Sequence, residues 1–283
     1  MPKLESHRYG KARVRVAKIL RAKDRQSIVE IDVKAMLEGD FESSYTAPGG
    51  DNTKVVPTDT IKNTINVLAK EKLGEEIEPF ASALGEHFLK KYKQVRSAKI
   101  DISQRDWRRM EVDGKPHPHS FAAGSDAKMF TRVVCGRDSQ AVASGVRDLV
   151  ILKSTGSGFE NYPTDEFTTL PETSDRILAT SFSATWSYAK NPSSYRAQND
   201  KIILAMLKVF ANNYSPSAQT TLFEMGTAAL EVCPEISRIE LAMPNKHYLL
   251  VDLSRFGREN KNELFTPTEE PHGQIEAVVT RDE

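Results

Sequence analysis

A chain of 283 residues, 39% hydrophobic and 28% charged, carries enough apolar surface to bury a core in one large or two modest domains. Lys and Arg total 39, as do Asp and Glu, so the net charge is zero. That excludes the global basic field that nucleic acid or anionic lipid calls for, and any anionic ligand must be gripped locally. Cys135 and Cys233 form no Cys-x-x-Cys and no disulfide framework, and no apolar run approaches membrane-spanning length, so a soluble, cytoplasmic protein is expected.

In chain order, Arg13 to Leu20 and Ser27 to Met36 read as two strands joined by the charged turn Lys23-Asp24-Arg25. Ile61, Ile65 and Leu68 recur at helical spacing behind Pro57-Thr58-Asp59, and Ile77, Phe80, Leu84, Phe88 and Leu89 continue in a second helix. Strands are expected at Ala98–Ile102 and Lys128–Val134, ending in the turn Cys135-Gly136-Arg137-Asp138. The order then restarts. Ala141–Ser154 and Arg176–Tyr188 read as strands, Ile202, Ile203, Met206, Leu207, Val209 and Phe210 as a helical stripe, and a second helix begins at Ser215-Pro216. Ile239-Leu241-Met243 and Leu249-Val251-Leu253 read as closing strands, and the tail from Asn260 as mostly loop. The expectation is an α+β chain of two tandem domains, residues 1–138 and 139–283, each with a hairpin, two helices and two strands, without a letter-by-letter repeat.

Three places are chemically suggestive. Asn245-Lys246-His247 interrupts two apolar alternating stretches, so Asn245 and His247 should share one side of a strand and Lys246 the other. Ser215 is expected to cap a helix with Pro216 in its first position, leaving amides free for an anionic or carbonyl oxygen beside Gln219. At Pro57-Thr58-Asp59, capping alone accounts for Thr58 or Asp59, and Arg176 has a simple alternative as a surface partner of Glu172 and Asp175. His117-Pro118-His119 reads as a loop without metal-ligand spacing, and Gly156-Ser157-Gly158 as a turn that frees Phe159. Trp107 and Trp186 read as core. No serine-hydrolase elbow or dinucleotide fingerprint occurs.

These pieces coincide with one family. Through Tyr9-Gly10-Lys11, Val56 to Thr64, Leu152 to Ser157, Asp165 to Leu170, Thr173 to Leu178, Ser215 to Gln219 and Leu241 to Tyr248, the chain resembles the urate oxidase (uricase) family over nearly its full length. The resemblance implies two tandem tunnelling-fold domains, with antiparallel sheets carrying helix pairs on one face, and four chains forming a hollow barrel with active sites at subunit interfaces. It implies oxidation of urate by O2 to 5-hydroxyisourate and H2O2 without metal or organic cofactor, and neither nucleic acid nor membrane as partner. Carried over by position, Arg176 and Gln219 clamp the purine with the Ala218 amide, Phe159 stacks on the ring and Leu170 lines the pocket. Asp59 and the Thr58 backbone contact the other purine edge from the neighbouring chain. Lys11 and Thr58 form a proton-transfer pair with His247 as relay, and Asn245 holds O2 or water. The family usually has Val where Ala218 stands; a backbone contact survives that change. The ends, Met1 to Ser6 and Thr280 to Glu283, show neither a leader nor a Ser-Lys-Leu address, so a peroxisomal location would require a terminal signal that had been removed. Two rivals stay open: another tunnelling-fold enzyme acting on pterin or purine rings, and a barrel that binds purines without catalysis.

Overall fold

The computed structural model describes residues 3–281; Met1, Pro2, Asp282 and Glu283, on which parts of the leader and address readings fall, lie outside the described residues. Two compact units are present, Met1–Gly145 with Ser187–Arg196, and Val146–Trp186 with Ala197–Glu283. In chain order the elements are β1 Tyr9–Arg21, β2 Gln26–Gly39, α1 Ser43–Thr46, α2 Thr58–Lys72, α3 Ile77–Lys91, β3 Val95–Val112, β4 Lys115–Gly136 and β5 Gln140–Lys153. There follow β6 Leu178–Tyr188, α4 Tyr195–Asn212, α5 Ala218–Val232, β7 Ile236–Lys246, β8 Tyr248–Leu250, β9 Phe265–Pro267 and β10 Gly273–Thr280.

In the first unit β1 to β4 pair antiparallel in chain order. Val29, Ile31, Val33, Ala35 and Leu37 alternate along β2 toward one buried face, while α3 packs on β3 and β4. Strands β3 and β4 run far beyond the expected Ala98–Ile102 and Lys128–Val134. Their outer arm, from Arg105 onward, buries no side chain, so it offers no apolar alternation to read; it turns at Asp113 and Gly114, with φ of 53° and 70°. His117 and His119 therefore sit in a strand rather than a loop. Trp107 belongs to this arm, not to the core, its Nε1 donating to Glu30 Oε2 at 2.9 Å; Trp186 is fully buried as expected.

In the second unit β7 pairs antiparallel with β10, from Asn245 opposite Gly273 to Arg238 opposite Thr280. The tail is thus not mostly loop, and the second closing strand is β10 rather than residues 249–253, where only the short β8 pairs with β9. Ile275, Ala277 and Val279 do alternate, but the Glu- and Pro-rich residues before them masked the pattern.

The repeat, invisible letter by letter, is plain in what each residue does. Ile77, Phe80, Ala81, Leu84, Gly85, Phe88 and Leu89 are buried on α3, and Ala218, Thr221, Leu222, Met225, Gly226, Ala229 and Leu230 occupy the same places on α5. Both glycines let the helix press on its sheet: a Cβ at Gly85 would lie 2.4 Å from Cys135 Sγ, and one at Gly226 2.7 Å from Val279 Cγ2. Each first helix has its C-terminal carbonyls capped by a strand lysine. Lys18 Nζ donates to Ala69, Lys70 and Leu73 oxygens, and Lys153 Nζ to Asn213 O. Each second helix is capped by the arginine that follows its last strand. Arg137 donates to the carbonyls of Leu89, Tyr92, Lys93 and Val95; Arg281 donates to those of Leu230, Cys233 and Ile236. Arg281→Ala should lower the urea midpoint, costing about 1–2 kcal/mol, because part-buried carbonyls lose a charged donor. Arg238→Ala, which breaks only the exposed pair with Glu240, should cost almost nothing.

One tyrosine gives a pH dependence. Tyr195, 7% exposed, has its phenol pushed up to about 12, first by burial and then by Glu78 and Glu76. The folded pKa lies above the unfolded value of 10.0, so this stabilisation is complete below pH 10 and is lost as pH rises from 10 toward about 12. Tyr195→Phe should flatten the fall of stability across that window by up to about 1.4 kcal/mol per pH unit, measured by denaturant titration.

Candidate active site

The loop that carries Phe159 is stitched on both sides. Asp175 accepts from Thr155 Oγ1 and the Gly156 amide, Arg176 N donates to Ser157 O at 2.7 Å, and Phe159 exchanges two backbone hydrogen bonds with Thr173. Ser215 N donates to Gly156 O, and Gly158 N to Ser215 O at 2.8 Å, tying the loop to the residues before α5. Gly158 is required by contact rather than by mobility: a Cβ there would lie 2.3 Å from Tyr214 Oη and 3.0 Å from Thr173 O. Phe159 is thereby fixed, where a swinging ring was the expectation.

Arg176 lies over that ring, its Cζ 5.2 Å from the Phe159 centroid. The acids that could have neutralised it are engaged elsewhere, Asp175 as above and Glu172 with the Asn161 amide at 2.7 Å. Arg176 Nε is buried without a partner, and burial pushes the guanidinium's pKa down, partly opposed by Tyr162 and Tyr214. It remains charged, as arginine does throughout the working pH range. The surface ion-pair alternative for Arg176 is thus not what forms: a desolvated, underused fork stands beside an aromatic ring. Ser157 Oγ is likewise buried and unpartnered.

Helix α5 begins two residues later than the Ser215-Pro216 reading. Ser217 is the cap, its Oγ accepting from Thr220 N at 3.1 Å, because Ser215 is buried and bonded to Thr221 Oγ1. Ala218 and Gln219 become the first two helical residues, whose amides have no intrahelical acceptor. Ala218 is buried; Gln219 is exposed. Leu170 is 55% exposed on the neighbouring loop, and its carbonyl accepts from Tyr162 Oη at 2.5 Å; the Tyr162 ring stacks on Phe159 at 4.7 Å. Tyr162 had no role in the sequence reading, where nothing in its spacing marked it.

Asn245 shares the strand parity of Ile239, Leu241 and Met243, while Lys246 donates to Glu269 at 3.0 Å. His247 sits between β7 and β8, its carbonyl accepting from Thr268 N and Oγ1. No hydrogen bond or ring contact joins Asn245 or His247 to Arg176, Phe159 or Gln219 among the described residues.

Lys11, Thr58 and Asp59 form a separate group in the first unit. Lys11 pairs with Ala35 just before a bulge that inserts a residue ahead of Val14 and puts Arg13 at φ 58°. Thr58 opens α2 behind Pro57, and neither Thr58 nor Asp59 caps the helix as had been expected. Both are exposed. Asp59 is held below the usual carboxylate range by its hydrogen bond and ion pair with Lys62, by Asn63 Nδ2 at 2.9 Å and by the field of Lys11. No cluster of three or more His, Cys, Asp or Glu placed to hold a metal occurs among the described residues, and none of their helices is long and apolar enough to cross a membrane.

Together these features define an α+β tandem-repeat protein whose second unit offers a planar guanidinium, an aromatic face and free helix amides to a flat, polar heterocycle. The Uricase family model matches residues 7–134 and 142–276. A uricase of Arthrobacter globiformis is 39% identical over 279 residues, covering 99% of this chain and 90% of that protein. One of Cyberlindnera jadinii is 41% identical over 297 residues, covering 99% and 97%. The crystal structure of the Arthrobacter globiformis uricase superposes with a TM-score of 0.94 over 100% of this chain and 96% of that one, at 39% identity. The chain belongs to the uricase family and has its tunnelling fold.

Proposed function

We propose that this protein oxidises urate with O2 and water to 5-hydroxyisourate and H2O2, without metal or organic cofactor. The Arg176–Phe159 pair, a half-buried cation kept without a carboxylate partner and set 5.2 Å from an aromatic ring, is the observation that carries this reading. Two electrons and two protons pass from urate and water to O2, and the oxygen of water ends on the purine. Arg176 and Gln219 clamp the ring's carbonyl and N–H edges with the Ala218 amide, Phe159 stacks on its face, and Leu170 walls the pocket. Such a site favours the anionic, easily oxidised form of urate over the neutral one. Lys11 and Thr58 move the proton with His247 as relay, Asn245 holds O2 or water, and Asp59 with the Thr58 backbone meets the far purine edge.

These two groups are taken to meet between copies of the chain, in a homotetramer with its sites at subunit interfaces and its repeats divided at residues 138 and 139. The first unit supplies a precedent. Ser194 Oγ and Arg196 N, both of that unit, donate to Glu76 just before α3, and Glu78 in the second place of α3 is 2% exposed. Gln219 holds that place on α5 and is exposed, which suits coverage by the α2 start of a second copy bringing Thr58 and Asp59. The two buried, unbridged cysteines suit a cytoplasmic location.

The test is loss of urate's ultraviolet absorbance in aerated buffer containing chelator, with H2O2 measured in parallel and mass by light scattering. Equal yields of peroxide and consumed urate are expected from a tetramer. Binding without decay would leave a purine-binding barrel, and chelator-sensitive decay would point to a metal-dependent relative.

A further inference from the structure

We infer that Tyr9 is a positioning residue for the proposed proton-transfer pair, its phenol oxygen fixing the chain that enters α2 so that Thr58 and Asp59 stand in a set place beside Lys11. This rests on the reading of Lys11 and Thr58 given above. Tyr9 Oη accepts the Val56 amide at 2.7 Å, and Val56 is 2% exposed, so this N–H has no recourse to water. Only Pro57 separates Val56 from Thr58. Tyr9 and Lys11 lie two apart on β1 and face the same way.

The residue between them presses on β2, where a Cβ at Gly10 would lie 1.9 Å from Ala35 O, and all three residues are held in the ladder with Leu37, Met36 and Ala35. The ladder is then interrupted immediately after Lys11. At the other end the Tyr9 ring is set edge-on against Phe41, 4.9 Å away and fully buried. Helix α2 has no side-chain cap to fix its start. The residues leading to it are also held by Gln94 Nε2 on Lys54 O and by Lys54 with Asp40, but among the described residues only the Tyr9 bond refers them directly to β1. The strand bearing the base and the helix start bearing its hydroxyl partner are thus joined through one phenol at this end, while Lys18 ties the same strand to the far end of α2. Burial also raises Tyr9's pKa, against the opposing bond from Val56, and keeps it neutral while it accepts.

Tyr9→Phe keeps the ring against Phe41 and removes only the acceptor. It should lower kcat about tenfold to a hundredfold, the usual scale for misplacing a catalytic group by about an ångström. The same change in a Lys11→Met background should alter the residual rate less than about twofold, because the pair it registers is already broken. In the unaltered protein the Val56 amide should exchange with deuterium at least about a hundredfold more slowly than a free amide. Full kcat in Tyr9→Phe, an equal loss in both backgrounds, or prompt exchange at Val56 would each overturn the inference, the last even if the variant failed to fold. A Lys11→Met protein with normal turnover would instead overturn the proton-transfer reading beneath it.

Discussion

Lys11→Met should reduce kcat for urate oxidation by about a hundredfold or more while leaving the affinity for a non-oxidisable purine within about threefold. General-base action is worth about 10²–10⁴ in rate, and Met approximates the aliphatic stem of Lys while supplying neither charge nor a transferable proton. The split between rate and affinity follows from the surroundings. Lys11 is only a secondary influence on Asp59, whose carboxylate is held by Lys62 and Asn63, so the purine-edge contact assigned to Asp59 persists in the variant. The β1 register persists as well, since it is held by the backbone ladder with β2 on both sides of the bulge, not by the lysine's tip. Initial rates of absorbance loss and calorimetric titration with the unreactive purine check both halves. Near-normal kcat would sink the role of Lys11, and a parallel loss of affinity would make it a binding residue.

How much of this was legible beforehand depended on whether a residue's partner was near it in period or only in space. Helices α2, α3 and α5 announced themselves through apolar spacing that matched their buried faces, and the β1–β2 hairpin through alternation. The outer arm of β3 and β4 did not, because a ribbon that leaves the core keeps its ladder but loses its pattern. The α5 cap was placed two residues early because Ser215 and Ser217 are both good caps, and only the burial of Ser215 against Thr221 decides between them. Tyr9 stood in plain view beside Gly10 and Lys11, yet its partner is the Val56 amide, and an amide carries no mark in a sequence. The tandem organisation was read from element order, while its letters were few: Lys18 with Lys153, Gly85 with Gly226, Arg137 with Arg281. Those are the capping and close-contact positions, where geometry fixes the residue type; elsewhere the two units are free to differ.

Arg176→Ala should weaken purine binding by about a hundredfold or more yet leave the fold's stability unchanged or slightly higher. A guanidinium in a protein core is normally retained because a carboxylate or several carbonyls repay its desolvation, and removing it then unfolds the site. Arg176 is half-buried and lacks that repayment: its buried Nε has no partner, Asp175 is bonded to Thr155 and Gly156, and Glu172 is bonded to Asn161. What remains is the contact with Phe159, worth about 0.5–2 kcal/mol, against a desolvation cost already visible in the lowered pKa. On the proposed function the purine supplies that partner, so stability and binding should move in opposite directions. Arg176→Lys should not rescue affinity, because one ammonium cannot present two parallel donors to a planar edge. Thermal melts with and without purine separate the terms: the free variant should melt no lower than the unaltered protein, and added purine should shift it far less. A free variant that melts several degrees lower would mean that the loop from Ser157 to Arg176 leans on this side chain for its own structure, and that the charge is structural before it is functional.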